Sequence, residues 1–299
     1  MTSQKYSDRF TPLTLSTRQE HPRLIYGTAF KGDKTYPLTA SALAIGFRGL
    51  DSANYPTAYQ ESQVGNAIQQ ALKGGVKREE LFVQSKFTPA WAHAEGKIPY
   101  SVDQPLEEQV RESIEQSFNN LQVEFIDAFL LHVPFEEEED NIRAWRVFES
   151  FVPERIGVLG VSNFPLPAFE KLFHQATIKP EIVQNRLHEK NGYDTRLREF
   201  LGKNGVLYQA FHLLKANKAV ISSDLVARFS KELSVDKEIG FYLLVLSLGK
   251  VSVVNGTTSE ANMLKDIETA NRIFAEEKTV NAIKSYIGEF EDLLQNVII

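Results

Sequence analysis

Short apolar runs alternate along this chain with longer stretches in which apolar residues recur every three or four positions. The short runs predict eight strands: Leu24–Gly27, Arg48–Asp51, Leu81–Lys86, Ile126–His132, Gly157–Ser162, Ile182–Gln184, Val206–Tyr208 and Val251–Val254. The longer stretches predict helices over Glu61–Leu72, Gln104–Phe118, Asn141–Phe148, Pro167–His174, Asp194–Leu201, Asp224–Leu233, Asp236–Ser247, Glu260–Phe274 and Val280–Gln295. Val110, Ile114, Phe118 and Leu121 show the spacing that puts apolar side chains on one helical face.

Alternation of this kind implies right-handed βαβ units and a parallel sheet. Eight repeats favour closure into a (β/α)8 TIM barrel over an open, doubly wound sheet. No G-x-G-x-x-G follows an early strand, so the dinucleotide fingerprint of the open fold is missing. No low-complexity linker or shift in composition interrupts the pattern, and a single domain over residues 1–299 is expected. One long irregular segment, Thr88–Pro105, follows the third strand. In a barrel it would hang over the C-terminal face, where active sites are built.

Composition narrows the field. Lys and Arg number 33 against 39 Asp and Glu, a net charge of −6, and no basic run suggests nucleic-acid binding. The absence of Cys excludes disulfide frameworks, thiolate metal sites and a catalytic thiol. The N-terminal MTSQKYSDRF has no apolar signal region, and the longest apolar run, Phe241–Leu248, is interrupted by Ser247 and too short to span a bilayer. A soluble, cytoplasmic protein with no membrane or obligatory protein partner is the expectation. His21, His93, His174, His188 and His212 show no H-E-x-x-H pairing, so no metal is expected. No G-x-S-x-G elbow or P-loop is present. The acidic run Glu136–Asp140 reads as a solvated helix start.

Ionisable residues fall where consecutive strands should end. Asp51 closes the second strand, Tyr59 follows in the next loop, Lys86 closes the third and His132 the fourth. Together they form a chemical set. Asp51 would hold the Lys86 ammonium, whose charge would lower the pKa of the Tyr59 phenol. That phenol could then protonate a developing alkoxide, with His132 orienting the substrate oxygen. A nicotinamide would supply the missing hydride.

GFRGLDSA, SKFTP, FIDAFLLHVP and GVSNF, in this order, resemble segments of the aldo-keto reductase superfamily over nearly the whole chain. The resemblance implies NAD(P)H-dependent reduction of a small aldehyde or ketone to the alcohol. Asp51, Tyr59, Lys86 and His132 would be the catalytic tetrad. Ser162, Asn163 and Gln184 would hold the nicotinamide carboxamide, with Gln184 placed four residues after Pro180 as in the family's P-x-x-x-Q pattern. Tyr208 would stack on the nicotinamide. The stretch after it, with the NGTTSE turn carrying Asn255, Thr257 and Thr258, would wrap the rest of the cofactor.

Three departures from the family pattern bear on function. The Asp-to-Tyr segment is DSANYPTAYQE, which leaves Tyr55 one position short of the usual spacing and Tyr59 beyond it. Tyr59 has the better downstream register and Tyr55 becomes a pocket wall. The Lys and Arg that usually meet the 2′-phosphate of NADPH are replaced by Asn255 and Ala261, which predicts relaxed preference: NADPH favoured, NADH accepted. The Trp that often follows the catalytic His is Val133, and Phe30, Tyr55, Trp91 and His212 are the candidate substrate-pocket residues. Two other readings stand beside the reductase. One is a nucleotide-binding regulatory or scaffold protein on the same barrel. The other is a lyase forming a Schiff base on Lys86.

Overall fold

A computed structural model describes residues 12–17 and 20–296, the side chains of 271–275 excepted. The N-terminal segment read above for a signal region lies outside them. Eight parallel strands close into a barrel in sequence order: β1 (Leu24–Gly27), β2 (Gly49–Asp51), β3 (Phe82–Phe87), β4 (Ile126–Leu131), β5 (Ile156–Ser162), β6 (Ile182–Arg186), β7 (Leu207–Phe211) and β8 (Val251–Asn255). Closure runs through β1 and β8, with Leu24 opposite Val253 and Tyr26 opposite Asn255. All eight strands point their carboxyl ends at one mouth.

β6 and β7 run further than their sequence patterns predict. Asn185 and Arg186 are poor strand formers, yet they pair with Ala210 and Phe211, and the ladder outweighs local preference. That extension matters, because it carries Arg186 and Phe211 up to the mouth.

Twelve helices are described: α1 (Thr35–Ile45), α2 (Glu61–Lys73), α3 (Leu106–Leu121), α4 (Glu138–Glu149), α5 (Leu166–Gln175), α6 (Thr195–Lys203), α7 (Leu213–Ala216), α8 (Lys218–Ile221), α9 (Asp224–Leu233), α10 (Lys237–Leu246), α11 (Glu260–Ala275) and α12 (Glu277–Asn296). The nine predicted helices correspond to α2–α6 and α9–α12. α1, TYPLTASALAI, has no counterpart among them. Its small and apolar residues give no clear polar face, and Pro37 falls in its first turn, where proline is tolerated. The apolar run Phe241–Leu248 lies mostly in α10, which is buried from Ile239 to Leu246 beneath α9, α11 and α12. No described helix is long and apolar enough to cross a membrane.

Side chains alternate across each strand, and the two faces have separate jobs. Leu50, Val83, Phe129, Leu131, Leu159, Val161 and Val183 face outward into the main core beneath the helices. Phe82, Ala128, Leu130, Val158, Ile182 and Leu207 face inward. Leu13 and Leu15 pack onto this inner set from a short N-terminal hairpin, bridged Thr14 to Glu20 and tied by the His21 N–H to the Leu13 carbonyl at 2.6 Å. The bottom of the lumen is therefore closed by apolar side chains. Its upper half is polar.

Candidate active site

Asp51 and Lys86 face inward on neighbouring strands, and Gln84, two residues before Lys86, is directly opposite Asp51 in the ladder. Lys86 Nζ donates to Asp51 Oδ1 at 2.7 Å and to the Ser52 carbonyl at 2.8 Å. Both side chains are buried, with relative exposures of 0% and 2%. Burial lowers the Lys86 pKa, and the charge and hydrogen bond of Asp51 oppose that shift.

Tyr55 and Tyr59 sit one helical turn apart, joined by the Tyr59 N–H to the Tyr55 carbonyl at 2.9 Å. Both rings meet His132 edge-on, with centroids 5.6 and 6.0 Å away. Only Tyr59 also stands beside Lys86, whose Nζ lies 5.0 Å from its ring centroid. Tyr55 turns instead toward His93, at 5.2 Å. The Tyr59 phenol departs from the expectation of a lowered pKa. Burial, then the charges of Asp51 and Tyr55, push it well above the usual tyrosine range.

His132 follows β4 directly. Burial, then the charges of Lys86 and His93, hold its pKa well below the ordinary value, so the imidazole is neutral. Its Nδ1 lies 2.7 Å from Thr88 Oγ1. The Thr88 carbonyl in turn accepts from Tyr100 at 2.7 Å and meets His93 Nε2 at 3.0 Å. The long segment from Thr88 to Pro105 is thus pinned to the site, and Tyr100 stacks on Phe87 at 5.3 Å. Behind Lys86, the buried Glu61 carboxyl accepts from Ser85 Oγ at 2.5 Å and Ser117 Oγ at 3.2 Å, its pKa raised by burial.

On the other side of the mouth, Ser162, Asn163 and Gln184 come together. Ser162 Oγ donates to the Gln184 carbonyl at 2.9 Å. Asn163, in the left-handed region at φ 57°, donates from its amide to the His132 carbonyl at 3.0 Å and to Ser162 Oγ at 3.1 Å. This ties the tops of β4, β5 and β6 into one rim, a dense set of amide and hydroxyl groups beside Lys86 and His132.

Two expected cofactor contacts are displaced. Tyr208 faces outward into the main core, and its hydroxyl donates to Asp194 Oδ2 at 2.9 Å. Strand alternation gives the inward position at the top of β7 to Phe211, with the Arg186 guanidinium 5.7 Å from its ring centroid. Asn255 is also turned away: it is fully buried, donates to Asp266 Oδ2 at 2.6 Å and accepts from the Thr257 N–H at 3.0 Å. It shapes the turn and does not reach toward the mouth. Thr257 Oγ1 accepts from the Ser259 N–H at 3.2 Å, and Thr258 is exposed. Lys31, from the loop after β1, reaches this turn and donates to the Gly256 carbonyl at 2.5 Å.

Among the pocket candidates, Tyr55 adjoins His132 as described. Phe30 and Trp91 are 82% and 54% exposed, on the loops after β1 and β3. His212 lies on the β7 rim, where Arg186, Lys215 and His188 depress its pKa after burial does. Gln84, Gln209, Thr88, Phe211 and Glu61 escaped the sequence reading. Period-two counting back from Lys86 and forward from Leu207 would have placed Gln84, Gln209 and Phe211 inside the barrel.

A match to the model of the aldo/keto reductase family covers residues 23–271. The chain is similar to the glycerol 2-dehydrogenase (NADP(+)) of Hypocrea jecorina, 30% identical over 288 residues, covering 87% of this chain and 84% of the relative. It is also similar to an NADPH-dependent codeinone reductase of Papaver somniferum, 30% identical over 243 residues, covering 72% and 68% of the two chains. The crystal structure of an aldo/keto reductase from Brucella melitensis superposes with a TM-score of 0.74 at 20% identity, covering 96% of this chain and 99% of that one. The chain belongs to the aldo/keto reductase family and is an oxidoreductase.

Proposed function

We propose that this oxidoreductase reduces an aldehyde or ketone to the alcohol with NADPH, accepting NADH as well. One observation carries the reading: Asp51, Lys86, Tyr59 and His132 converge at the barrel mouth directly beside the amide and hydroxyl groups of Ser162, Asn163 and Gln184. Those groups suit a carboxamide, which needs both donors and acceptors. Phe211, at the top of β7 and paired with Arg186 of β6, offers an aromatic face at the mouth. The relatives named for NADP(+) and NADPH support the cofactor.

Ser162, Asn163 and Gln184 would hold the dihydronicotinamide, which when bound would supply the hydride for the carbonyl carbon. Tyr59 supplies the proton. Its raised pKa keeps the phenol loaded at neutral pH, and an alkoxide is basic enough to take that proton regardless. Lys86, held by Asp51, places a positive charge where the phenolate forms. Thr88 Oγ1 lies 2.7 Å from His132 Nδ1; with the hydroxyl as donor, the ring proton would stand on Nε2 to hydrogen-bond the substrate oxygen. Tyr55 walls the pocket, with Phe30 and Trp91 at its rim. Because Lys86 Nζ is committed to a carboxylate and a carbonyl, it suits a fixed cation better than a free amine nucleophile, which supports reduction over Schiff-base chemistry.

At the adenosine end, Thr257, Thr258 and the nearby Lys31 would meet the phosphates. Asn255 acts only through the turn that it braces. Lys265, one turn beyond Ala261 on α11, is paired with Asp236. The test is a fluorescence titration with NADPH and NADH at matched salt, followed by turnover of 4-nitrobenzaldehyde by the wild type and by Tyr59→Phe. Binding of both cofactors and loss of turnover in Tyr59→Phe with cofactor affinity retained are expected. Full activity in Tyr59→Phe, with loss in Tyr55→Phe, would move the acid role to Tyr55. No binding of either cofactor would overturn the reductase reading.

A further inference from the structure

The lumen of a barrel is ordinarily packed with branched apolar side chains. Here a column of polar groups runs down its axis from Asp51. Asp51 Oδ1 accepts three hydrogen bonds: from Lys86 Nζ at 2.7 Å, Gln84 Nε2 at 2.6 Å and Gln184 Nε2 at 2.8 Å. Gln84 and Gln209 form a reciprocal amide pair, at 3.0 and 2.9 Å. Gln209 Oε1 also accepts from Gln184 at 2.9 Å, and its Nε2 lies 2.9 Å from His21 Nε2. Gln84 and Gln209 are fully buried and His21 is 1% exposed.

Burying amides costs free energy unless both ends are paired, and here both ends of Gln84 and Gln209 are. The column stops at His21, which packs edge-on against Phe82 at 4.4 Å above the Leu13 and Leu15 plug. Its upper end is the Asp51 carboxylate.

We propose that Gln84 and Gln209 are positioning residues that act through Asp51: Gln84 disperses the carboxylate charge by a direct hydrogen bond, and Gln209, anchored on His21, holds Gln84 in place. Together they set how strongly Asp51 grips Lys86, and so the cation beside Tyr59. This rests on the roles assigned to those three residues above. A carboxylate stripped of a neutral donor has a less dispersed charge and stabilises a neighbouring ammonium more. Removing Gln84 must therefore raise the pKa of Lys86.

The experiment needs no substrate. Protein labelled with ε-13C lysine is titrated by NMR, the Lys86 signal being assigned by its loss in Lys86→Met. Gln84→Met is expected to move the Lys86 titration up by about one unit, a tenfold change in its protonation equilibrium. Gln209→Met, one bond removed from Asp51, is expected to move it the same way by less, and serves if Gln84→Met fails to fold. Destabilised variants whose Lys86 titration stays at the wild-type position would overturn the proposal and reduce the column to packing. Turnover of 4-nitrobenzaldehyde by Tyr59→Phe separates the two readings. Retained turnover there sinks the catalytic assignment, whereas an unmoved Lys86 titration sinks only the column.

Discussion

Replacing Lys86 by Met removes an ammonium that is fully buried against Asp51, and the stability cost follows from what each partner keeps. Breaking a buried ion pair costs about 3–5 kcal/mol, because one charge is left without its counterion. Asp51 would retain the amide donors of Gln84 and Gln184 at 2.6 and 2.8 Å, so Lys86→Met should fall near the lower bound, about 3 kcal/mol. Asp51→Asn leaves the ammonium facing only neutral oxygens among these partners, the new amide oxygen and the Ser52 carbonyl, with no counter-charge, and should cost nearer 5 kcal/mol. That cost should grow as pH falls. The folded-state pKa of Lys86 is lowered, so stability is lost from the unfolded lysine value downward as the buried amine is forced to charge. The double variant removes both charges and should be more stable than the sum of the single losses by at least about 2 kcal/mol. Urea unfolding of the four proteins at several pH values gives the cycle. Equal costs for the two single variants, or strict additivity in the double, would refute the reasoning.

Other expectations follow from the same geometry. Burial lowers the His21 pKa from 6.5 to about 3, so the folded state takes up its proton last. Stability should be intact above pH 6.5 and fall progressively toward pH 3, by up to about 5 kcal/mol from this group. The acid-unfolding midpoint of His21→Gln should lie at lower pH than that of the wild type. Alcohol oxidation needs the Tyr59 phenolate and should accelerate with rising pH, whereas carbonyl reduction uses the phenol and should stay flat across neutrality; paired pH–rate profiles check both. Ala261 is exposed at the start of α11, so Ala261→Arg should favour NADPH over NADH about tenfold, the effect of one charge-assisted bond. Asn255→Lys should instead destabilise the protein, because that side chain is buried against Asp266. Cofactor titrations and thermal melts separate the two.

The sequence made the barrel legible because its period-two and period-3.6 segments alternate so regularly, and because Asp51, Lys86 and His132 stand at strand ends. What it concealed has physical causes. α1 lacks a polar face to betray its period. The family resemblance implies Tyr208 as the stacking aromatic, at the end of the short run Val206–Tyr208. Pairing with β6 carries the strand on to Phe211, and a one-residue difference in register exchanges the two faces of a strand. The resemblance puts Asn255 at a position that usually carries a cation, yet a neutral amide can turn inward to Asp266 where a lysine would stay in water. The shift of the Tyr59 phenol depends on how deeply the ring is buried, which no motif records.

Because the barrel closes by pairing β1 with β8, its first and last strands are separated by almost the whole intervening chain. On the ribosome, β1 emerges early but has only β2 to pair with until Val251–Asn255 follows. Until then, one edge of the growing sheet remains open, and the inner faces of Gln84, Gln184 and Gln209 lack the enclosure that keeps their network dry. Ring closure at such sequence separation carries a large entropic cost before its contacts repay it. The polar lumen therefore assembles late, and slow or interrupted synthesis before β8 would expose a nascent open sheet prone to pairing with other chains.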